Sequence, residues 1–410
     1  MKRVIRTERF WIKPSKSLNR LCHLSKNLYN ETNYLIRQSY FDTENLVRTG
    51  EFKSQLITSS NFSNLSLLTA EKILQLVDKA WKSFFRALAD WKTHPEKYYQ
   101  KPRIPKYKEK DGQFILPFTR SQIDFIENEV VLPSITGVRI KTRLNSKNQI
   151  LGARIVPKGV GYVLELMYVK YIPLIQQKAP KNVVGIDIGV ANLITMVNNI
   201  GKKPITVKGG VTKSINQYYN KERARLQSTY DRQEIKTGKQ LLKLTDKRNR
   251  KIYNYFHEVS RFIIEWCLNN NIDTIIVGRN KNWKQRIKLG KKTNQNFISI
   301  PFYRLIGMIT YKAQDVGIRV IQAREDYTSK CSFLDNEPIR KRSKYEGERV
   351  ARGLYRSKNG IFINSDVNGA YNIIKKEVPN AFNQKVTANG IEDVGLHPVR
   401  WKANGQPVAC

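Results

Sequence analysis

The first part of the chain carries two hydrophobic patterns, one typical of strands and one typical of helices. The opening stretch VIRTERFWIKPS predicts one strand that ends at Pro14. From Ser15 onward, large apolar residues recur at spacings of three and four, which indicates helices with one buried face. We interpret these positions as the core of a helical bundle. They are Leu18, Leu21, Leu24, Leu28, Ile73, Leu74, Val77, Trp81, Phe84, Phe85, Leu88 and Trp91.

A different pattern follows the Pro- and Lys-rich segment KPRIPKYKEKDG. Short stretches of branched and aromatic residues are separated by turn residues, which predicts a small antiparallel barrel or sheet. If the first strand pairs with these strands, the helices are an insertion in a β domain. The predicted strands lie within QFILPF, IDFIENEVVLP, GVRIKTRL and GARIVPKGVGYVLELMYV.

From Asn182 the pattern changes to that of an α/β sheet. Three strands are followed by two long basic helical stretches, a strand, a helix that opens at Pro301, a strand, and a helix that begins at Asp366. A three-strand meander followed by alternating helices and strands is typical of sheets of the ribonuclease H type. The predicted strands are 183–187, 193–197, 204–208, 274–277 and GIRVIQARE.

The net charge of the chain indicates a polyanionic partner. Lys and Arg number 73 against 34 Asp and Glu in 410 residues, which leaves a charge of +39 and favours nucleic acid. A basic membrane-surface protein is the alternative, but no apolar run approaches the ~18 residues of a membrane span. Residues 1–9 also lack the apolar core of a signal peptide. We therefore expect a cytoplasmic, nucleoid-associated protein of two or three domains with no membrane partner.

Two aspartates are candidate catalytic groups. In an α/β sheet such groups lie at the carboxyl ends of the central strands, where loops open a crevice. Asp187 ends the first strand between Gly185 and Gly189, which allow a backbone or a ligand to approach closely, and Asp366 opens the last helix. Each also has a structural explanation, as a turn residue for Asp187 and as a helix N-cap for Asp366. Together, in this order and on these elements, they form a candidate metal site.

Three stretches carry a family resemblance. In their places along the chain, GIDIGVANL, TSKCS and NSDVNGAYNI closely resemble motifs of TnpB, the transposon-encoded RNA-guided DNA endonucleases related to Fanzor proteins and type V CRISPR effectors. The resemblance implies an α/β multidomain protein with a RuvC/RNase H-like nuclease domain and a β-barrel wedge domain that contains an inserted helical recognition lobe. The implied boundaries are 1–14 and 105–178 for the wedge-like β domain, 15–104 for the recognition lobe, and 182–410 for the nuclease domain, with a basic helical insertion at about 212–270.

The resemblance also implies an activity and its cofactors. A guide RNA from the transposon end selects target double-stranded DNA, and the unwound strands are cut beside a short transposon-adjacent motif. Three carboxylates hold two Mg²⁺ ions in such a site, where the ions activate water and stabilise the leaving oxygen. Asp187 and Asp366 match the first and third motifs, whereas Gly278 stands where the family usually carries a glutamate.

A relocated glutamate can supply the missing carboxylate. Glu325 ends the strand GIRVIQARE, and if this strand lies parallel beside the one that leads to Gly278, the two ends are only ~4.8 Å apart. Some members of the family carry such a relocated glutamate, and REDYTSKCSF resembles their pattern. We therefore assign Glu325 as the third catalytic residue and Mg²⁺ ligand, with Asp326 as the alternative ligand. The structural explanation of this acidic pair is a surface position near a turn.

The cysteine pattern departs from that of the family. Many members carry two CxxC pairs, which suffice for a tetrahedral zinc site. Here Cys331 has Leu334 where its partner would stand, and no later pair follows. We therefore predict no structural zinc. The basic segment RKRSKYEGERVARGLYRSKNG takes the place of that region, either as a nucleic-acid contact or as a solvated loop.

Two further stretches are predicted to bind nucleic acid. The segment 236–255 interleaves cations with aromatics and is expected to contact the guide–target duplex, whose backbone shape such proteins recognise. In the loop after the strand at 274–277, Trp283 is expected either to stack on an unpaired base or to lie in the core beneath the loop. His257 is expected to be structural. The predicted nucleic-acid-binding residues are Lys236, Lys239, Lys243, Lys247, Arg248, Arg250, Lys251, Trp283, Lys284 and Gln285.

Two functions fit these residues, and a third fits only in part. The first is an active, Mg²⁺-dependent RNA-guided DNA endonuclease, which the presence of both Asp187 and Asp366 favours. The second is a nuclease-dead RNA-guided DNA-binding regulator, for which Gly278 would mark the lost activity. The third, a strand-transfer transposase, fits a three-carboxylate site but not the large basic helical and β regions.

Overall fold

The computed structural model describes residues 1–44, 48–145, 147–175, 178–236, 238–279, 290, 295, 297–382, 395–401 and 407–408. The chain divides into two compact units. The first is Arg3–Tyr171, and the second combines Met1–Lys2 with Ile172–Cys410. Within the described ranges, no helix is long and apolar enough to cross a membrane.

The strands of the first unit form two sheets. The four-stranded sheet has the order β1-β7-β6-β2, in which β1 is Lys2–Ile12, β2 is Leu116–Thr119, β6 is Ile150–Lys158 and β7 is Gly161–Ile172. The three-stranded sheet has the order β3-β4-β5, with β3 at Asp124–Ile126, β4 at Glu129–Val131 and β5 at Arg139–Lys141. Because β1 neighbours β7, the predicted pairing of the first strand with the later β segments is confirmed.

Helices lie between β1 and β2 along the sequence. They are α1 (Lys16–Thr43), α2 (Lys53–Ile57), α3 (Ser60–Ser63) and α4 (Leu67–Thr93). The side chain of Ser15 caps α1 by accepting a hydrogen bond from the backbone N–H of Leu18 at 3.1 Å. Trp81 is fully buried and donates from Nε1 to Asn33 Oδ1 at 2.9 Å. The predicted bundle core is confirmed at its buried positions Leu18, Leu21, Leu28, Ile73, Leu74, Val77, Trp81 and Phe84.

A seven-stranded sheet forms the centre of the second unit. Its order is β12-β11-β8-β9-β10-β16-β17, with β8 at Val183–Asp187, β9 at Asn192–Asn198, β10 at Ile205–Lys208, β11 at Thr274–Gly278, β12 at Arg319–Ala323, β16 at Val399–Trp401 and β17 at Pro407–Val408. Strands β8, β9 and β10 form the predicted antiparallel meander. Strands β11 and β12 run parallel to β8 and to each other, as predicted. The carboxyl ends of β8 and β11 therefore meet at one edge.

Helices and a small hairpin sheet complete the second unit. The helices are α5 (Gly210–Arg232), α6 (Lys239–Asn269), α7 (Phe302–Asp315) and α8 (Ser365–Glu377), and the small sheet has β13 (Glu348–Ala351), β14 (Leu354–Arg356) and β15 (Phe362–Asn364). Helix α8 lies close against β8, because a Cβ at Gly185 would come within 2.6 Å of the carbonyl oxygen of Ala370. This close approach brings the start of α8 to the end of β8.

Two predicted element ends are wrong. Strand β12 ends at Ala323, so Glu325 lies two residues beyond the strand and not at its end. Asp366 is not the N-cap of α8: the side chain of Asn364 takes that role by accepting hydrogen bonds from the N–H groups of Asp366 and Val367. The carboxylate of Asp366 is therefore not used for capping.

Candidate functional site

Asp187 lies at the centre of a group of carboxylates. It is the last residue of β8 and keeps part of its surface exposed. Its pKa is raised from 3.8 to about 7, chiefly by burial and second by the nearby carboxylate of Asp366. A hydrogen bond from the backbone N–H of Ile188 and the positive charge of Arg349 act in the opposite direction. The surroundings of Asp187 therefore disfavour its ionised form, which a bound cation would stabilise.

Asp366 enters the group from the first turn of α8. Its Oδ2 accepts a hydrogen bond from Asn192 Nδ2 at 2.7 Å. The side-chain oxygen of Asn192, Oδ1, is buried and has no hydrogen-bond partner among the described residues. Sequence reasoning missed Asn192, although it lies inside the quoted stretch GIDIGVANL. Its role becomes visible only when β9 and α8 are brought together in space.

Glu325 occupies the space that a side chain at Gly278 would need. In the register of β11 and β12, Gly278 lies opposite Ala323, and the chain continues from there to Glu325. A Cβ at Gly278 would contact Oε1 of Glu325 directly and would lie 2.8 Å from its Cγ. Burial, together with the smaller effects of the nearby charges of Asp187 and Asp326, raises the pKa of Glu325 from 4.5 to about 8. Glu325 thus reaches back over the end of β11 toward Asp187.

Asp326, the alternative ligand, has a different environment. Its Oδ2 lies 2.7 Å from Nε of Arg324, and both side chains are well exposed. The backbone carbonyl of Glu325 accepts hydrogen bonds from the N–H and the hydroxyl of Thr328, which forms a turn after the strand. The turn explains how adjacent acidic residues come to face different surroundings.

The donor set fits Mg²⁺, although the carboxylates do not form a closed site. Mg²⁺ prefers carboxylate and water oxygens, and Asp187, Glu325 and Asp366 supply only such oxygens. The orphaned amide oxygen of Asn192 adds a fourth hard donor beside Asp366. Within the described part of the chain, however, no three His, Cys, Asp or Glu side chains converge tightly enough to hold a metal ion.

Hydrogen bonds organise the segment around the lone cysteine. Cys331 is fully buried, and its thiol lies 3.6 Å from the carbonyl oxygen of Pro338. The side-chain amides of Asn368 and Asn372, both on α8, donate to the carbonyl oxygen of Cys331 at 2.9 and 2.7 Å. The segment is thereby attached to the helix that carries Asp366.

The predicted basic residues divide into exposed cations and one internal arginine. Arg248 is half-buried, and its guanidinium donates to the side chains of Asn216 and Asn249 and to the carbonyl oxygen of Ser299. Trp283, Lys284 and Gln285 lie outside the described residues. The exposed predicted cations are Lys236, Lys239, Lys243, Lys247, Arg250 and Lys251.

His257 has the surroundings of a structural residue. Burial is the largest cause that lowers its pKa to about 4, followed by the charges of Lys312 and Arg261. Its ring packs edge-on against Tyr253, and its backbone carbonyl accepts a hydrogen bond from Lys312 Nζ at 2.9 Å. The imidazole is therefore held neutral inside the helical layer.

Two known families match separate parts of the chain, and one known protein is similar to most of its length. The family described as "Probable transposase" (OrfB_IS605) matches residues 166–284, and the family described as "Cas12f1-like, TNB domain" matches residues 302–373. The TnpB-like protein ORF457 of Acidianus two-tailed virus is 25% identical over 424 residues, which cover 90% of this chain and 85% of that protein. Over most of its length the chain is therefore similar to a TnpB-like protein.

Two solved structures have a fold similar to that of this chain. The cryo-EM structure of the Cas12f1-sgRNA-target DNA complex has a TM-score of 0.51 at 13% identity and covers 87% of this chain and 81% of that chain. The mini-RNA-guided endonuclease CRISPR-Cas_phi3 has a TM-score of 0.50 at 10% identity and covers 92% of both chains. At these identities the likeness shows a shared mixed α/β fold.

Proposed function

We propose that this chain is an RNA-guided DNA endonuclease of a transposon, which cleaves target DNA next to a short transposon-adjacent motif. Its catalytic and metal-binding residues are Asp187, Glu325 and Asp366, in a RuvC-like nuclease domain at 182–410. The observation that carries the proposal is the position of Glu325, whose side chain fills the space over Gly278 beside Asp187. The chain thereby regains a third carboxylate where the family's usual glutamate is absent.

The proposed partners are nucleic acids. A guide RNA from the transposon end and target double-stranded DNA with its unwound strands suit a chain with a charge of +39. The similar Cas12f1 structure contains an sgRNA and target DNA. We extend the family's domain organisation to this chain as a proposal, with a β-barrel wedge at 1–14 and 105–178 and a recognition lobe at 15–104. Such binding would associate the protein with the nucleoid.

Each residue of the site has a distinct proposed role. Two bound Mg²⁺ ions would supply an activated water and neutralise the charge on the leaving oxygen. Asp187 is electrostatically coupled to both other carboxylates, which suits it to be a ligand shared by both ions. Asn192 fixes one oxygen of Asp366 by its hydrogen bond. Arg349 offsets part of the negative charge near Asp187.

Cleavage of a guide-matched plasmid tests the proposal. The full chain is purified with RNA expressed from its own locus and assayed with Mg²⁺ or with EDTA. We expect the wild type to cut only with Mg²⁺, and Asp187→Ala and Glu325→Ala to lose cutting while they still bind the guide-matched DNA. Asp326→Ala is the matched control, because it removes an adjacent carboxylate that pairs with Arg324.

A nuclease-dead DNA-binding regulator is the competing function. The observation behind it is Gly278, which stands where the TnpB pattern usually carries a glutamate. Guide-dependent DNA binding by the wild type with no cutting at any Mg²⁺ concentration would support this regulator and refute the nuclease. Cutting that survives Glu325→Ala but not Asp326→Ala would identify Asp326 as the third catalytic carboxylate in place of Glu325.

A further inference from the structure

A cavity of about 140 Å³ lies between α5 and α6 in the second unit. Its apolar and aromatic wall is formed by Ile215, Tyr218, Tyr219 and Leu244. Tyr218 is 57% exposed, so one aromatic ring of this wall is open to solvent. The volume matches that of protein cavities which accept a single aromatic ring, and it is far below the size of a typical drug-sized ligand pocket. The cavity therefore suits one flat ring system.

Cations line the rest of the cavity. Lys247 and Lys251 are one helical turn apart on α6 and are both exposed. Arg248, between them in sequence, stands with its guanidinium 5.6 Å from the centre of the Tyr219 ring. A ligand with a flat ring and flanking negative charges would match this combination of aromatic wall and cationic border.

The wall is fixed before any ligand binds. Nε of Arg248 donates to Oδ1 of the buried Asn216 at 2.8 Å, and Nη1 donates to Asn249 Oδ1 at 2.9 Å. The hydroxyl of Tyr219 lies 3.2 Å from Thr245 Oγ1 on the facing helix. Because these contacts hold Arg248 and Tyr219 in place, a ring that enters the cavity does not have to order them.

We propose that this cavity binds one unpaired nucleobase of a single-stranded nucleic acid, with Lys247 and Lys251 contacting the phosphates on either side. The proposal rests on the proposed function, which brings RNA and unwound DNA to this chain. A base pair is too large for the cavity, so a duplex cannot occupy it. The site would distinguish single-stranded from double-stranded nucleic acid but would not read the sequence, because every base presents a flat face for stacking.

Binding of short oligonucleotides by the full chain in EDTA tests this site without cleavage. The probes are single-stranded DNA and RNA of mixed sequence, each compared with a version of the same length that lacks its bases at the central positions. We expect the wild type to bind the base-containing probe about 5- to 150-fold more tightly than its abasic counterpart. Tyr218→Ala, which removes the exposed wall, and Ser214→Trp, which fills the cavity from its exposed border, should both abolish that preference.

Lys243→Ala is the matched control. Lys243 is an exposed cation on the same helix that does not line the cavity. Its loss should weaken binding of both probes equally and leave the preference for bases unchanged. Lys247→Ala should also weaken both probes, since it acts on phosphates.

Photocrosslinking identifies where the base lies. Oligonucleotides that carry 5-iodouracil should form adducts on the peptide that contains Tyr218 and Tyr219. A base preference for RNA alone would indicate the guide as the source, and one for DNA alone would indicate an unwound DNA strand. A base preference that both wall variants keep, or adducts formed only elsewhere, would overturn the site. Binding of the probes with the expected preference but no plasmid cleavage would refute the nuclease and leave the cavity proposal standing.

Discussion

Two glutamates of the second unit, Glu325 and Glu337, have opposite surroundings. Glu325 faces the carboxylates of Asp187 and Asp326, and its pKa is raised to about 8. Glu337 is 1% exposed and accepts hydrogen bonds from the backbone N–H groups of Ser332 and Glu346, at 2.7 and 3.3 Å. The clustered carboxylate of Glu325 is suited to bind cations. The carboxylate of Glu337, which accepts hydrogen bonds from N–H groups, is suited to stabilise the fold.

Both glutamates lie where the chain departs from the TnpB pattern that it resembles. Gly278 stands in place of the usual glutamate, and the side chain of Glu325 fills the space above it. Near Cys331 no CxxC pair is present, and Glu337 binds the segment together, with Arg342 at 3.6 Å from its Oε1. In our proposal the first replacement maintains a metal ligand, and the second maintains the local structure.

Exchanging the residues at 278 and 325 gives the largest expected effect. Glu325→Gly should reduce cleavage by about a thousand-fold or more, as loss of a catalytic group does. Gly278→Glu alone should also be impaired, because its Cβ would collide with the side chain of Glu325 and would lie 2.6 Å from Cδ1 of Ile373. The double variant Gly278→Glu with Glu325→Gly should recover a substantial part of the activity in the plasmid assay. A double variant no better than Glu325→Gly would show that the two positions are not interchangeable.

Removal of Glu337 should affect stability before activity. Glu337→Ala leaves the buried N–H of Ser332, the partly buried N–H of Glu346 and the charge of Arg342 without their acceptor. This loss should cost roughly 3–5 kcal/mol in free energy of unfolding. Chemical denaturation of the full chain measures this loss. The control is Glu346→Ala, which keeps the backbone N–H that Glu337 binds and removes only a surface ion pair with Lys358. Glu346→Ala should change the free energy of unfolding by less than about 1 kcal/mol. Equal losses in both variants would contradict a special structural role for Glu337.

The elements of the second unit were predictable because their patterns are local. Strand β8 matches its predicted bounds, since an apolar run between polar residues defines both of its ends. The N-cap of α8 was misassigned because Asn364, Ser365 and Asp366 are all cap-forming residues, and sequence alone does not rank them. The partly exposed β12 was predicted two residues too long at each end, and at its carboxyl end the turn at Thr328 stops the pairing before the apolar pattern ends.

The site was predictable only in part because its contacts are distant in sequence. Asp187 and Asp366 could be placed from strand and helix ends. The return of Glu325 over Gly278 depends on the turn after β12, and the bond from Asn192 to Asp366 joins residues that are far apart in the chain. Such side-chain directions follow from tertiary packing and leave no periodic signal.

Asn192 should influence cleavage through Asp366. Asn192→Leu removes the hydrogen bond to Asp366 Oδ2 and should lower the cleavage rate about 10- to 100-fold at fixed Mg²⁺, as loss of a partner of a metal ligand does. The Mg²⁺ concentration for half-maximal rate should rise, which a purely structural change would not cause. Asn198→Leu, on the same strand, provides the comparison. The proposal would fail if the rate fell without any change in Mg²⁺ dependence.

The stability of metal-free protein should fall as the pH rises. The folded pKa of Glu325 is about 8 against an ordinary value of 4.5, and that of Asp187 is about 7 against 3.8. Because both are raised, the folded state binds the protons more tightly, so the stability that these two groups contribute is fully present below about pH 4 and is lost as the pH rises through 7 and 8. In EDTA, Glu325→Gln should remove the part of this pH-dependent loss that comes from ionisation of Glu325, on the order of 1–3 kcal/mol in free energy of unfolding at pH 8. Thermal melting from pH 5 to pH 9 would show this, and parallel curves for wild type and variant would contradict it.

The smallest expected effect is that of zinc chelation. Cys331 is buried against the carbonyl oxygens of Pro338 and Arg340, and Glu337 supplies the acceptors that hold the following loop. If hydrogen bonds take the structural role that zinc ligands have in many members of the TnpB family, a zinc-selective chelator should leave the melting temperature unchanged. Elemental analysis should find much less than one zinc per chain. One equivalent of zinc, lost together with stability, would mean that Glu337 supplements a metal site and does not replace one.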